Sequence, residues 1–251
     1  MNYHLVNCRN LLVPFYDCNT DSGIDRAIRS KFTLNQIIKE RGLYEDLIKV
    51  SDVCYDVGAF VGTHSILFSL LGGIVYSFEP ASLNYSRLIM NCDPFRSIKT
   101  FDIAFHEKEY NILTKFKDCN TAGHNMDKEQ FIKYRIFDKF IAENKIPAPD
   151  FLKIDIEGME TILLKTLKSI LGNNKTKIYI ELHPKSRETM NINSYSDNPN
   201  WLFTDEGGYD FNELKEYNYK YYKSISDCLF VEFNRDIDFN TLEGAIVLIP
   251  K

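Results

Sequence analysis

The stretch from residue 53 to residue 62, VCYDVGAFVG, constrains this chain more than any other. Val53, Cys54, Tyr55 and Val57 favour extended backbone. A short apolar run of this kind suits a strand covered on both faces, as in a parallel sheet. Asp56 and Gly58 interrupt the run. Glycine reaches backbone angles closed to other residues, and it lets a ligand approach the main chain. Thr63 is placed to cap a helix on SILFSLLG, which Gly72 and Gly73 end. The unit reads as strand, glycine turn, helix.

Residues 74–79, IVYSFE, read as a second strand that ends in an acid about 20 residues past Gly58. That is the spacing of a ribose-binding carboxylate in a nucleotide fold. Backbone N–H groups and a helix start at the end of the first strand would face a ligand. Glu79 at the end of the second would accept hydrogen bonds from a ribose diol. The turn is G-x-x-x-G, without the extra glycine of a pyrophosphate cradle and without Gly-Lys-Ser/Thr. Asp56 in that turn would repel a pyrophosphate and attract an ammonium. The pattern therefore favours a nucleoside ligand without phosphates over NAD or ATP.

The 251 residues suit one domain with additions, here a leader over 1–52 and a main domain over 53–251. A net charge of −5 and a pI near 5.6 argue against a general nucleic-acid binder. Cys8, Cys18, Cys54, Cys92, Cys119 and Cys228 are scattered without a C-x-x-C pair, and read as free thiols in a reducing compartment. Neither Cys nor His clusters at zinc-ligand spacing, so no metal site is expected. The start lacks the form of a signal peptide, and no apolar run is long enough to span a membrane. A cytoplasmic protein is the expectation, and homo-oligomerisation is left open.

In the leader, residues 11–17 suggest a short strand, 22–41 a helix with an imperfect apolar stripe, and 44–48 a further helical turn. After Pro80, residues 81–92 read as a helix with Leu83, Leu88 and Ile89 inward, stopped by Asp93-Pro94. Residues 98–105 read as a third strand. Asp102 near its end would either meet an adenine amino group or face solvent. Residues 110–116 and 131–136 alternate like an antiparallel excursion. Between them CNTAGHNM, with Asn120, His124 and Asn125, reads as an exposed turn or a substrate loop. A short helix follows over 137–144.

The second informative segment is DFLKIDIEGME, residues 150–160. Phe151, Leu152, Ile154 and Ile156 make a buried strand, and Lys153, Asp155 and Glu157 alternate with them. Charges in a central strand are costly to bury unless paired. Their presence points to a site at the carboxyl edge of the sheet, or to a structural ion pair of Lys153 with Asp155 or Glu157. A helix with an apolar face follows Gly158. Residues 177–182 form the next strand, leading to His183, which is expected beside Asp155. Residues 186–209 read as a lid, 211–222 as a tyrosine-rich helix, and 224–233 and 245–249 as late strands.

These pieces together resemble the FkbM family of S-adenosylmethionine-dependent methyltransferases, over roughly residues 44–184. The family's D-x-G-A-x-x-G appears as Asp56, Val57, Gly58, Ala59, Phe60, Val61 and Gly62. Its F-E-P is Phe78-Glu79-Pro80. Its K-I-D-x-E-G-x-E runs from Lys153 to Glu160, and its E-x-H-P from Glu181 to Pro184. The family's usual asparagine after the alanine is Phe60 here. The resemblance implies an α/β fold of the Rossmann-like class I methyltransferase type: a mostly parallel central sheet, helices on both faces and an antiparallel late strand.

It also implies methyl transfer from S-adenosyl-L-methionine to an acceptor hydroxyl on a sugar-containing or natural-product molecule, either a small molecule or a glycan. Asp56, Gly58, Ala59 and Gly62 would hold the methionine end, Glu79 the ribose and Asp102 the adenine. Asp155, Glu157 and His183 would orient and deprotonate the acceptor. Rival readings are a nucleotide-dependent oxidoreductase, an RNA cap 2′-O-methyltransferase, a non-catalytic nucleoside-binding module and a Mg²⁺-dependent transferase. The cap enzyme would want a Lys-Asp-Lys-Glu tetrad and a basic groove, which Lys153, Asp155 and Glu181 only partly imitate.

Overall fold

A computed structural model describes residues 2–8, 11–17, 42–115, 129–156, 159–182, 211–226, 229–242 and 244–251. The leader opens with an antiparallel hairpin, β1 (Asn2–Cys8) and β2 (Leu11–Asp17). The sequence reading anticipated the second of these strands and missed the first. The helix expected over 22–41 lies outside the described residues. A helix α1 covers 42–47. Its Tyr44, fully buried, meets Phe68, Phe151 and Tyr179 ring to ring.

The main domain is built on an eight-stranded sheet. Its strands are β3 (Val53–Val57), β4 (Ile74–Phe78), β5 (Ile98–Phe101), β9 (Phe151–Ile154), β10 (Lys177–Leu182), β11 (Tyr219–Ser226), β12 (Leu229–Glu232) and β13 (Gly244–Pro250). The spatial order is β12-β11-β13-β10-β9-β3-β4-β5. From β5 across to β10 every pairing is parallel. β13 then inserts antiparallel between β10 and β11, and β12 pairs antiparallel at the edge. The fold is thus the expected α/β type with a mostly parallel sheet.

The chain leaves β3 toward β4 and β5, then crosses back to lay β9 on the other side of β3. The carboxyl ends of β3 and β9 therefore flank the point where strand order reverses. Open α/β sheets bind their ligands in the crevice outside such a point.

Helices cover both faces. On one side α1, α2 (Thr63–Leu70) and α3 (Ser82–Cys92) bury Leu47, Ile66, Phe68 and Leu88 against Cys54, Val75 and Phe151. On the other, α4 (Phe137–Glu143), α5 (Glu160–Thr166) and α6 (Lys168–Asn173) bury Phe137, Leu163, Leu164 and Leu171 against Tyr55, Val57, Phe78 and Leu152. Successive residues of β3 thus go to opposite cores, as the period of two requires.

Several expected elements differ. The strand expected over 98–105 is broken: β5 ends at Phe101, and β6 (Ala104–Phe105) joins a separate three-stranded sheet with β7 (Tyr110–Lys115) and β8 (Glu129–Arg135). The antiparallel excursion is real, since β7 and β8 pair from Tyr110↔Tyr134 onward. The helix after Gly158 divides into α5 and α6, because Leu167 leaves helical geometry at φ −95°, ψ 16°. The helix expected over 211–222 is a 3₁₀ turn, Phe211–Glu216, followed by β11. Alternate burial of Tyr219 and Tyr221 marks a strand, and tyrosine is a strand-favouring residue. The late strand expected over 224–233 is a hairpin of β11 and β12.

Candidate active site

Strand β3 runs through Asp56 to Val57, so Asp56 belongs to the sheet and Gly58 is the first residue of the turn. Gly58 has φ +84°, a region that disfavours any side chain. Its bare Cα also serves close packing: a Cβ there would lie 1.8 Å from the Asp155 carbonyl oxygen. The close approach anticipated for a ligand is made by the protein's own β9 end. The N–H groups of Gly58 and Ala59 both donate to the Phe78 carbonyl at 3.0 Å, and that of Gly62 donates to the Ala59 carbonyl. These three donors, expected to face a ligand, brace the turn against β4 instead.

Phe60 adopts φ +52°, the left-handed region that asparagine tolerates better than a bulky residue. Its N–H donates to Glu79 Oε2 at 2.9 Å, which ties the turn to the end of β4. Gly62, at φ +90°, precedes α2, and Thr63 is the first helical residue rather than the cap. A Cβ on Gly62 would come within 2.9 Å of Cys92 Sγ and Leu88 Cδ1.

Asp56 lies beneath the turn, 0% exposed. Register aligns it with Ser77 of β4 on one side and Lys153 of β9 on the other. Helix α2 drops Ser65 onto this row. The Ser77 hydroxyl donates to Ser65 Oγ at 2.8 Å, and the Ser65 hydroxyl donates to Asp56 Oδ2 at 2.6 Å. Asp56 Oδ1 has no hydrogen bond, but lies 3.8 Å from Lys153 Nζ. The carboxylate expected to greet an ammonium is thus enclosed by protein.

Lys153, 1% exposed, also donates to Asp155 Oδ2 at 3.0 Å. The structural ion pair offered as the alternative for Lys153 and Asp155 is therefore present. Burial opposes the Lys153 charge most strongly, yet the carboxylates of Asp155 and Asp56 together outweigh it and push the lysine up from its ordinary value. The ammonium is held charged and is no candidate base. Asp155, with 23% of its side chain exposed, is where this buried row reaches the carboxyl edge of the sheet.

Glu79 follows β4 and is 6% exposed. Besides the Phe60 bond, its Oε1 accepts from the Ala81 N–H at 2.9 Å and from Asn84 Nδ2 at 3.3 Å. The sequence reading turned Leu83, Leu88 and Ile89 of α3 inward. The buried residues are Asn84, Arg87, Leu88, Asn91 and Cys92, and Ile89 is exposed. These sit at helical spacing, but three are polar, so an apolar-periodicity criterion passes over them. Asn91 Nδ2 donates to the Val61 carbonyl at 2.7 Å, a second brace on the glycine turn.

Asp102 lies past the end of β5, and its half-exposed carboxylate forms an ion pair with Lys133 of β8. Of the residues named for a site, Asp56, Gly58, Ala59, Gly62, Glu79 and Asp155 come together at the carboxyl ends of β3, β4 and β9. Asp102 stands at the neighbouring strand end. Glu157, His183 and the segments 119–126 and 186–209 lie outside the described residues. The register of β9 with β10, Ile154↔Ile180, leads Asp155 and Glu181 to the same edge. Among the described residues, no group of three His, Cys, Asp or Glu side chains is arranged to hold a metal ion, and no helix is long and apolar enough to cross a membrane.

The profile of the methyltransferase FkbM domain family matches residues 56–221. A curated relative, the hexuronic acid methyltransferase AglP of Haloferax volcanii, is 29% identical over 142 residues, covering 53% of this chain and 56% of the relative. The chain therefore matches little more than half the length of that relative. Among solved structures, a methyltransferase FkbM from Methylobacillus flagellatus shares 14% identity at a TM-score of 0.48, covering 92% of this chain and 63% of that one. The fibrillarin of Aeropyrum pernix, solved with bound S-adenosyl-L-methionine, shares 13% identity at a TM-score of 0.42, over 83% of this chain and 72% of its own.

Proposed function

The chain belongs to the methyltransferase FkbM domain family, and from that premise we propose that it moves a methyl group from S-adenosyl-L-methionine to an oxygen of a sugar-containing acceptor. The observation that carries the donor assignment is the joint of the glycine turn with Glu79. A buried carboxylate and a buried, unpartnered Asn84 oxygen meet at the carboxyl end of β4, beside the strand-order reversal. Polar groups of this kind, shielded from water, fit the hydroxyl-rich face of a ribose.

The sulfonium of the donor is already activated, so the transferable methyl needs no further chemistry from the protein. The chain's task is to place the acceptor oxygen in line with that methyl and to exclude water. In this reading Glu79 holds the ribose, and Gly58, Ala59 and Gly62 shape the floor on which the methionine end rests. Asp56 acts from below through Lys153, and Asp102 borders the adenine. Asp155 orients the acceptor hydroxyl, with Glu157 and His183 as the remaining candidates for taking its proton. Residues 53–251 make the catalytic unit, and residues 1–52 cap it.

A sugar acceptor is supported by the relative named for hexuronic acid methylation. A cap 2′-O-methyltransferase would need an accessible lysine in the place of Lys153, which is enclosed and paired. The test is transfer of isotopically labelled methyl from S-adenosyl-L-methionine to a panel of uronic acids, neutral sugars, sugar-bearing natural products and capped RNA. Label in a sugar is the expected result. Label only in RNA would overturn the acceptor assignment.

A further inference from the structure

We infer that Asn84 is the second half of the ribose site: its side-chain oxygen accepts one ribose hydroxyl while Glu79 accepts the other. The inference rests on the donor reading above and adds a residue to it. Asn84 is 6% exposed on the inward face of α3, and its Nδ2 donates to Glu79 Oε1. That bond fixes the amide's orientation, because the reverse would set its oxygen against a carboxylate oxygen. Oδ1 is thereby turned away from Glu79. It is buried and has no hydrogen-bond partner. Buried polar atoms left in this state are uncommon and ask for a partner that arrives later.

Glu79 supplies the complementary argument. A carboxylate offers about four acceptor positions. The Phe60 N–H, the Ala81 N–H and Asn84 Nδ2 already occupy three of them. Glu79 therefore has room for at most one ligand hydroxyl. A ribose presents two adjacent hydroxyls, each a donor. The second needs another acceptor in the same cluster, and Asn84 Oδ1 is the unpartnered one.

The test is calorimetric titration of the full chain with S-adenosylhomocysteine and with its 2′-deoxy and 3′-deoxy analogues. The wild type is expected to lose roughly tenfold in affinity for each deoxy analogue. Asn84→Ala is expected to bind S-adenosylhomocysteine roughly tenfold more weakly. The variant should then be indifferent to the loss of one hydroxyl and remain sensitive to loss of the other. A variant with wild-type affinity and wild-type sensitivity to both analogues would overturn the assignment. Should Asn84→Ala fail to fold, the wild-type titrations decide: indifference to either hydroxyl overturns the inference, and sensitivity to both supports it. A wild-type chain that ignores S-adenosylhomocysteine altogether would sink the donor reading itself, a result distinct from the others.

Discussion

The residue with the most demanding environment is Lys153. A fully enclosed ammonium survives only because Asp155 and Asp56 stand against it, and Asp56 is itself wholly buried. Removing one partner of such a group strands the other charge, which costs about 3–5 kcal/mol. Lys153→Met is accordingly expected to lower unfolding free energy by that amount in denaturant titration. The pH dependence has a definite sign. A lysine raised in the folded state contributes stability that is fully present below its unfolded value of about 10.4, and lost only as pH climbs through the higher folded value. The gap between wild type and variant should therefore stay flat from about pH 6 to about pH 9 and narrow only in strong alkali. The charge alternation of Lys153 and Asp155 is visible in the sequence. That Asp56 is the third member is not, because it depends on β3 and β9 being neighbours, and nothing local to residues 53–62 says so.

At the level of elements, the glycine turn and the start of β9 are fitted to each other. The two motifs could be picked out separately in the chain, one around Gly58 and one around Asp155. Their contact is a property of the crossover that returns β9 to the side of β3. Gly58→Ala would drive a Cβ to 1.8 Å from the Asp155 carbonyl at a positive φ. It is expected to cost more than about 3 kcal/mol or to abolish soluble expression. Gly172→Ala in α6, with nothing within 4 Å of the new Cβ, should be neutral or stabilising by up to about 1 kcal/mol. Comparable melting temperatures for the two variants would contradict the packing described. Helix α3 shows the opposite lesson. Its inward face is Asn84, Arg87 and Asn91 beside Leu88, a polar stripe that apolar periodicity cannot find. The elements misjudged in the late chain fail for a related reason: the tyrosines around β11 match a helix period about as well as a strand period, and only the β13 partner decides.

Across the whole molecule, the two cores on opposite faces of the sheet enclose reactive groups as well as apolar ones. Cys54 and Cys92 are both buried on the α1–α3 side, and burial pushes both thiols well above their ordinary range. They remain protonated thiols at neutral pH and should not react while the fold is closed. In the native protein, iodoacetamide is expected to spare Cys54 and Cys92 by peptide mass mapping, and to label both in denaturant. Rapid labelling of either under native conditions would mean that this core opens far more readily than its packing implies. The parallel order of the sheet was legible from buried strands alternating with helices, and so was the edge at which a ligand would bind. The small β6–β7–β8 sheet was only half legible, because the break after Phe101 has no turn residue to announce it.

The account turns on Glu79 as the residue that makes the strand-β4 end a nucleoside site. The most direct measurement is calorimetric titration of wild type and Glu79→Ala with S-adenosylhomocysteine, with thermal melting to verify that both chains are folded. The wild type is predicted to bind and the folded variant to bind at least about 100-fold more weakly. Equal affinity in the two proteins would contradict the site.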